Sequence, residues 1–314
     1  MAWIVGIDEA GYGPNLGPFV MSAVACHVPD ERTDADLWQA LGSAVRRHAD
    51  DDDDDDDRFV VDDSKLVYAN GLVALERGVL SALGRLGETV SDCIDKLSPD
   101  SHAELRRECW YTGTTALPVE ADRDVCASHS SRFAACDGLT WAPARSAVVC
   151  AERFNDLTER SGSKGGVLSH CLGDLVSSLL ALNGHEPMYF TIDKHGGRNF
   201  YGPMLQERLN AGMVFAVQES AGRSVYRVLG LDCEVRLTFE PRADAGHFCV
   251  ALASMVSKYV RELLMREFNA FWQQHVPNLE PTAGYPGDSR RFFKAIRKTA
   301  KQLGIAEKAL WRKK

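Results

Sequence analysis

The chain has 314 residues, enough to bury a sizeable core as one large domain or two smaller ones. Hydrophobic residues at 45% and charged residues at 25% are ordinary for a globular protein, and no apolar run approaches the roughly 18 residues of a membrane span. The net charge of −8 is misleading, because Asp50 to Asp57 is an unbroken run of eight aspartates and the remainder sums to about zero.

Trp3 to Asp8 predicts a buried strand, broken by Gly11-Tyr12-Gly13-Pro14, and Phe19 to Val28 predicts a second strand pairing with it antiparallel. No basic segment precedes the first strand and two acids arrive by position 9, so no signal peptide is expected. A polar helix is predicted near Ala35 to His48. The aspartate run, 50–57, follows as a solvated, disordered loop, since like charges repel and nothing apolar is there to bury. A short strand over Phe59 to Val61 precedes Leu72, Leu75, Val79, Leu83 and Leu86, which keep helical spacing. Residues 88–145 show no clean period and are read as an insertion of mixed structure.

Regular patterns resume at Ala147 to Cys150, a predicted strand, followed by a helix near Gly166 to Leu182 and a strand over Met188 to Asp193. Met213 to Gln218, Ser224 to Leu229 and Cys233 to Phe239 read as a hairpin or meander. The longest predicted helix runs from about Ala245 to Gln274. Arg290 to Lys314 carries ten Lys or Arg against the single acid Glu307, with Phe292, Phe293, Ile296 and Leu303 as an apolar stripe. Such a segment docks by its stripe and turns its cations outward, either as a solvated face or as a nucleic-acid contact. Strands first, then helices alternating with strands, predict an α/β fold: a mixed sheet with helices on both faces. The nine cysteines form no Cys-x-x-Cys pair and no His-Glu-x-x-His occurs, so reduced thiols in a cytoplasm are expected, not disulfides or zinc.

The chemistry lies in the acids. Asp8 and Glu9 sit where an apolar strand meets a glycine turn, a costly place for carboxylates unless a cation or hydrogen bonds neutralise them. Asp193 repeats the arrangement at the end of Met188-Tyr189-Phe190-Thr191-Ile192, and Asp244 opens the longest helix, where an N-cap role is the plainer alternative. Hard carboxylate oxygens at element ends suit Mg²⁺ or Mn²⁺, and two such ions about 4 Å apart can drive phosphodiester hydrolysis with no obligatory side-chain base. The phosphate loop and nucleophile elbow of rival chemistries are missing from the sequence.

Gly6-Ile7-Asp8-Glu9-Ala10-Gly11-Tyr12-Gly13-Pro14-Asn15-Leu16-Gly17-Pro18 resembles the opening motif of ribonuclease HII and, less closely, of ribonuclease HIII. Asp63-Ser64-Lys65-Leu66, Thr191-Ile192-Asp193, Arg242-Ala243-Asp244-Ala245 with Ala253 to Glu262, and Gly284-Tyr285-Pro286 resemble later motifs of that family, in the same order. The resemblance implies a ribonuclease H-like domain over 1–276 with a mixed five-stranded sheet, and a basic helical segment over 277–314 that contacts nucleic acid. It implies a centre of Asp8, Glu9, Asp193 and Asp244 binding two Mg²⁺ or Mn²⁺ ions. The implied activity, in a monomer, is cleavage of RNA in RNA/DNA hybrids or at RNA–DNA junctions in duplex, leaving a 5′-phosphate and a 3′-hydroxyl. Gly11 and Gly13 would approach the ribose 2′-hydroxyl, Tyr285 would pack on the neighbouring deoxyribose, and Ser64, Lys65 and Lys258 would contact phosphate. Tyr12 stands where the family usually has Arg, Ala283 where it has Lys and Arg290 where His is common, so substrate preference stays open. A non-catalytic nucleic-acid-binding module and a nuclease for other structured DNA are the alternatives.

Overall fold

The computed structural model describes residues 1–48, 56–69, 71–136, 138–182, 185–209 and 212–313. In chain order, β1 (Ala2–Ala10) and β2 (Phe19–Val28) lead to the short α1 (Leu37–Ala40), β3 (Val45–Arg46) and β4 (Phe59–Val60). Five helices follow: α2 (Ser64–Tyr68), α3 (Leu72–Leu83), α4 (Val90–Leu97), α5 (Pro99–Leu105) and α6 (Arg123–Ala134). Then come β5 (Thr140–Trp141), β6 (Arg145–Val149), α7 (Ala151–Ser161), α8 (Gly165–Leu182), β7 (Met188–Asp193) and α9 (Gly202–Arg208). The chain continues with β8 (Met213–Glu219), β9 (Ser224–Leu229), β10 (Val235–Glu240), α10 (Phe248–His275) and α11 (Pro286–Gln302).

The expected mixed sheet is present but wider, with eight strands in place of five. Within it β2 pairs antiparallel with β1 and β6, and β1, β7 and β10 run parallel. The strands β9 and β8 beyond β10, and the short β5, supply the extra width. Alternation along β1 separates two cores. Val5 and Ile7 pack with Phe154 of α7 and with α8 and α9, whereas Ile4 packs on the opposite side with α10, α3 and the segment α4–α6. Helices therefore cover both faces, as the pattern predicts.

Gly6 sets how close α10 comes. A Cβ there would lie 2.1 Å from the Cys249 carbonyl carbon, so only glycine lets the helix rest on β1. Several expectations are corrected. The polar helix over 35–48 shrinks to α1, capped by the Asp36 side chain on the Trp38 N–H, and the chain then turns into β3. Residues 50–55 of the aspartate run lie outside the described residues. Its last two members are held in ion pairs: Asp56 with Arg58 at 2.8 Å, and Asp57 with His129 at 3.0 Å and with Arg132 at 2.5 Å. Residues 88–145 contain α4–α6, whose Val90, Ile94, Leu97 and Phe133 join the larger core. On α11 Phe292 and Ile296 are buried and Phe293 packs beside them, but Leu303 is exposed, because the helix has ended before it.

Candidate active site

The paired strands β1 and β7 are in register up to Ile7 and Ile192, so Asp8 and Asp193 are the next residues on adjacent parallel strands. Strand alternation turns both toward the α10 face. Asp8 is only 8% exposed. Its carboxylate takes a hydrogen bond from the Glu9 backbone N–H at 2.7 Å, and the Ser254 hydroxyl of α10 lies close enough to favour its ionised form. Ser257 of the same helix donates to the Asp8 carbonyl at 2.9 Å. Ser64 and Ser254 share a hydrogen bond at 3.0 Å.

Asp193 is tied to the remaining acid through the backbone. Its Oδ1 accepts from the Ala243 N–H at 2.8 Å, and the next residue is Asp244. Asp244 does not open or cap α10. It lies in a separate 3₁₀ turn, Ala243–Ala245, entered through Arg242 at a left-handed φ of 57°, and α10 begins only at Phe248. The chain reverses sharply here to bring the turn back over the ends of β7 and β10.

The acids raise one another's pKa. Burial first, then the Asp193 carboxylate, pushes Asp8 up to about 8. Glu9 is driven well above its ordinary range by burial, then Asp8, then Asp193. Asp193 is raised by burial and by Asp244, and Asp244 by burial and by Asp63. The exposed Lys65 ammonium opposes the rise at Glu9, Asp193 and Asp244, which places it facing the cluster. Among the described residues, no three Asp, Glu, His or Cys side chains close into a finished metal cage. Unneutralised carboxylates repel, and each of Asp8, Asp193 and Asp244 instead turns an oxygen to a hydrogen-bond donor. Mutually repelling, half-solvated oxygens of this kind suit a hard divalent cation.

The glycine loop lies alongside. A Cβ on Gly13 would stand 3.8 Å from Cε1 of Tyr285, whose ring is 48% exposed, so the two expected sugar contacts are neighbours. Asn15 N–H donates to the Gly284 carbonyl at 2.8 Å and fastens the loops together. Gly11, at φ +84°, leaves room for the buried Arg261 side chain, whose Nη2 donates to Ala283 O at 2.7 Å. Tyr12 packs edge-on to Phe19 and carries the Lys164 ammonium 4.5 Å above its ring centre.

Two expected phosphate contacts are placed otherwise occupied. Ser64 is buried behind Ser254, and Lys258 is paired with Glu262 at 2.7 Å over the Tyr68 ring. The sequence reading missed Ser254, Ser257 and Arg261 as site residues. Their signal was available: they are polar positions spaced by three and four along a helix whose surroundings are apolar.

No family model matches the chain, and no match is found among curated proteins. Among solved structures, the ribonuclease HII of Archaeoglobus fulgidus, from its complex with PCNA, is similar at 16% identity and TM-score 0.43, over 98% of this chain and 92% of that one. The ribonuclease H2 of Pyrococcus horikoshii OT3 is similar at 16% identity and TM-score 0.40, with 98% and 92% covered. Bst ribonuclease HIII in complex with Mn²⁺ is similar at 15% identity and TM-score 0.44, with 99% of this chain and 66% of that one covered. Superpositions this loose leave the site to be read from its own residues.

Proposed function

We propose that this chain is a divalent-metal-dependent endonuclease of the ribonuclease HII/HIII type, cutting RNA paired or joined to DNA. The observation that carries the reading is the gathering of Asp8, Asp193 and Asp244, from three distant parts of the chain, beside the loop of Gly11, Gly13 and Tyr285. Asp8, Glu9, Asp193 and Asp244 would hold two Mg²⁺ or Mn²⁺ ions, which when bound supply an activated water and stabilise the leaving 3′-oxygen.

The chain's own groups do the rest. The Glu9 N–H fixes one oxygen of Asp8, with Ser254 beside it favouring the ionised form, and the Ala243 N–H fixes one oxygen of Asp193. The exposed Gly13 backbone, on a loop shaped by the buried Gly11, offers a surface close enough to read a 2′-hydroxyl, and the exposed Tyr285 offers a platform for the adjoining sugar. Lys65, exposed beside the acids, is the cation best placed for a backbone phosphate. The products would be a 5′-phosphate and a 3′-hydroxyl.

The test is cleavage of end-labelled RNA/DNA hybrids and of duplexes holding one ribonucleotide, in Mg²⁺ or Mn²⁺, with DNA duplex as control. Cutting of the ribonucleotide-containing substrates, and its loss in Asp8→Asn and Asp193→Asn, is expected. Cleavage that survives both substitutions overturns the proposed centre. A second reading, a module that binds nucleic acid without cutting, draws on the exposed Arg290, Lys294, Arg297, Lys298 and Lys301 along α11. Salt-dependent binding without turnover, lost on truncation before Arg290, would decide for it.

A further inference from the structure

The last residues of the chain run back to the glycine loop. Arg312 is 1% exposed, and its Nη2 donates to the carbonyls of Gly11, at 2.6 Å, and Pro14. Its backbone N–H donates to Asn15 O at 2.8 Å, and the Asn15 side-chain amide returns a bond to Arg312 O at 3.1 Å. The guanidinium carbon lies 4.6 Å from the centre of the Phe154 ring in α7. Next to it, Asn155 fastens the tail by donating to Lys308 O and Trp311 O at 3.0 and 2.9 Å and accepting from Lys313 N at 2.8 Å.

Every carbonyl of a tight glycine loop needs a donor or water, and a loop with two glycines has few side chains of its own to fix its shape. Arg312 supplies a charged donor to both ends of Gly11–Pro14 at once, from a segment about three hundred positions away in sequence. The Arg261 side chain also packs against Gly11, filling the space a Cβ would take, so two buried arginines meet the loop at this residue.

We infer that Arg312 is a positioning residue for the substrate-reading loop: it holds the Gly11–Pro14 backbone in the shape that receives a ribonucleotide. The role rests on the proposed nuclease reading for its consequence in activity, but the clamp itself does not. It also gives the basic C-terminus a second function. The exposed cations of α11 face outward, whereas Arg312 works inward.

The experiment uses the full chain with Arg312→Gln, Arg312→Lys and, as control, the exposed Arg107→Gln. Two readouts are taken on each: steady-state cleavage of a duplex holding a short RNA stretch, and hydrogen–deuterium exchange at the Asn15 and Leu16 amides. These amides donate to Gly284 O and report directly on the loop. For Arg312→Gln, KM is expected to rise about tenfold with kcat within about threefold, and exchange at both amides to quicken about tenfold. Arg312→Lys should recover most of both, and Arg107→Gln should match wild type. Unchanged exchange in a folded Arg312→Gln variant overturns the clamp whether or not the wild type cleaves. Cleavage by the wild type with an unaltered KM in Arg312→Gln overturns the positioning role alone. A wild type that never cleaves sinks the nuclease reading and leaves the clamp to be judged by exchange.

Discussion

Asp193 accepts a hydrogen bond from the backbone N–H of Ala243 at 2.8 Å, and this one contact joins the end of a central strand to the turn that carries Asp244. It means that the two acids share a backbone support and not merely a neighbourhood. An asparagine at 193 keeps an oxygen able to accept from Ala243, so Asp193→Asn should fold normally. Losing one charge from the cluster should cost roughly 10²- to 10³-fold in kcat, the range for removing a preorganised electrostatic group. Circular dichroism beside the cleavage assay checks both halves.

Stability should move the other way at Asp8. Its carboxyl is pushed up by burial and by Asp193, so the ionised form opposes folding. Asp8→Asn, measured in EDTA at neutral pH or above, should unfold at a higher temperature than wild type while losing cleavage, an exchange of stability for function.

Ser254 supports Asp8 from α10. Ser254→Ala removes the hydroxyl that favours ionised Asp8 and leaves Ser64 without its hydrogen-bond partner. Cleavage should fall about 10- to 100-fold, the usual effect of removing a group that orients a ligand side chain. Stability should drop by about 1 kcal/mol, the net worth of a buried hydrogen bond. Urea titration separates the two effects.

Gly6 is the packing keystone of the site. An alanine Cβ at 2.1 Å from the Cys249 backbone forces α10 off β1, since backbone cannot swing aside like a side chain. Gly6→Ala should cost about 3 kcal/mol in denaturant unfolding, at the upper end of overpacking penalties.

Glu108 gives a pH test away from the acid cluster. Burial pushes its carboxyl up to about 7, although Trp110 Nε1 donates to it at 3.0 Å. The folded state thus binds the proton more tightly than the unfolded chain, in which the carboxyl titrates near 4.5. Stability from this group is full below that value, falls as pH rises toward 7, and levels off above it. Glu108→Gln should therefore be more stable than wild type at pH 8, by about 2 kcal/mol after discounting for partial exposure, and should converge with it near pH 4.

Much of this was legible in the sequence for physical reasons. Apolar runs ending in acids marked β1 and β7, because a carboxylate that closes a core-packed run stands out as a costly placement. Alternation and spacing likewise disclosed the β8–β10 meander and α10. The helix expected over 35–48 stops at Ala40 because the chain turns over 41–44 and Val45 pairs with Phe59, so Leu41, Ala44 and Val45 are buried through a turn and a strand and not along a helix face. Residues 88–145 resisted reading because α4 and α5 are too short to show a period and α6 buries only Cys126, His129 and Phe133, two of which are not plainly apolar. The support around the acids was hidden for a different reason: Ser254, Arg261 and Arg312 act through contacts that only the folded chain creates, and Arg312 meets Gly11 from the far end of the sequence.

The central claim is that the gathered carboxylates bind divalent cations, and Mn²⁺ titration followed by electron paramagnetic resonance of the free ion tests it most directly. Wild type should take up Mn²⁺, Mg²⁺ should displace it, and Asp8→Asn and Asp193→Asn should each lose most of that uptake while keeping a native circular dichroism spectrum. Uptake by both folded variants equal to that of wild type, or no uptake by wild type at millimolar Mn²⁺ with its nucleic-acid substrate present, would contradict the account.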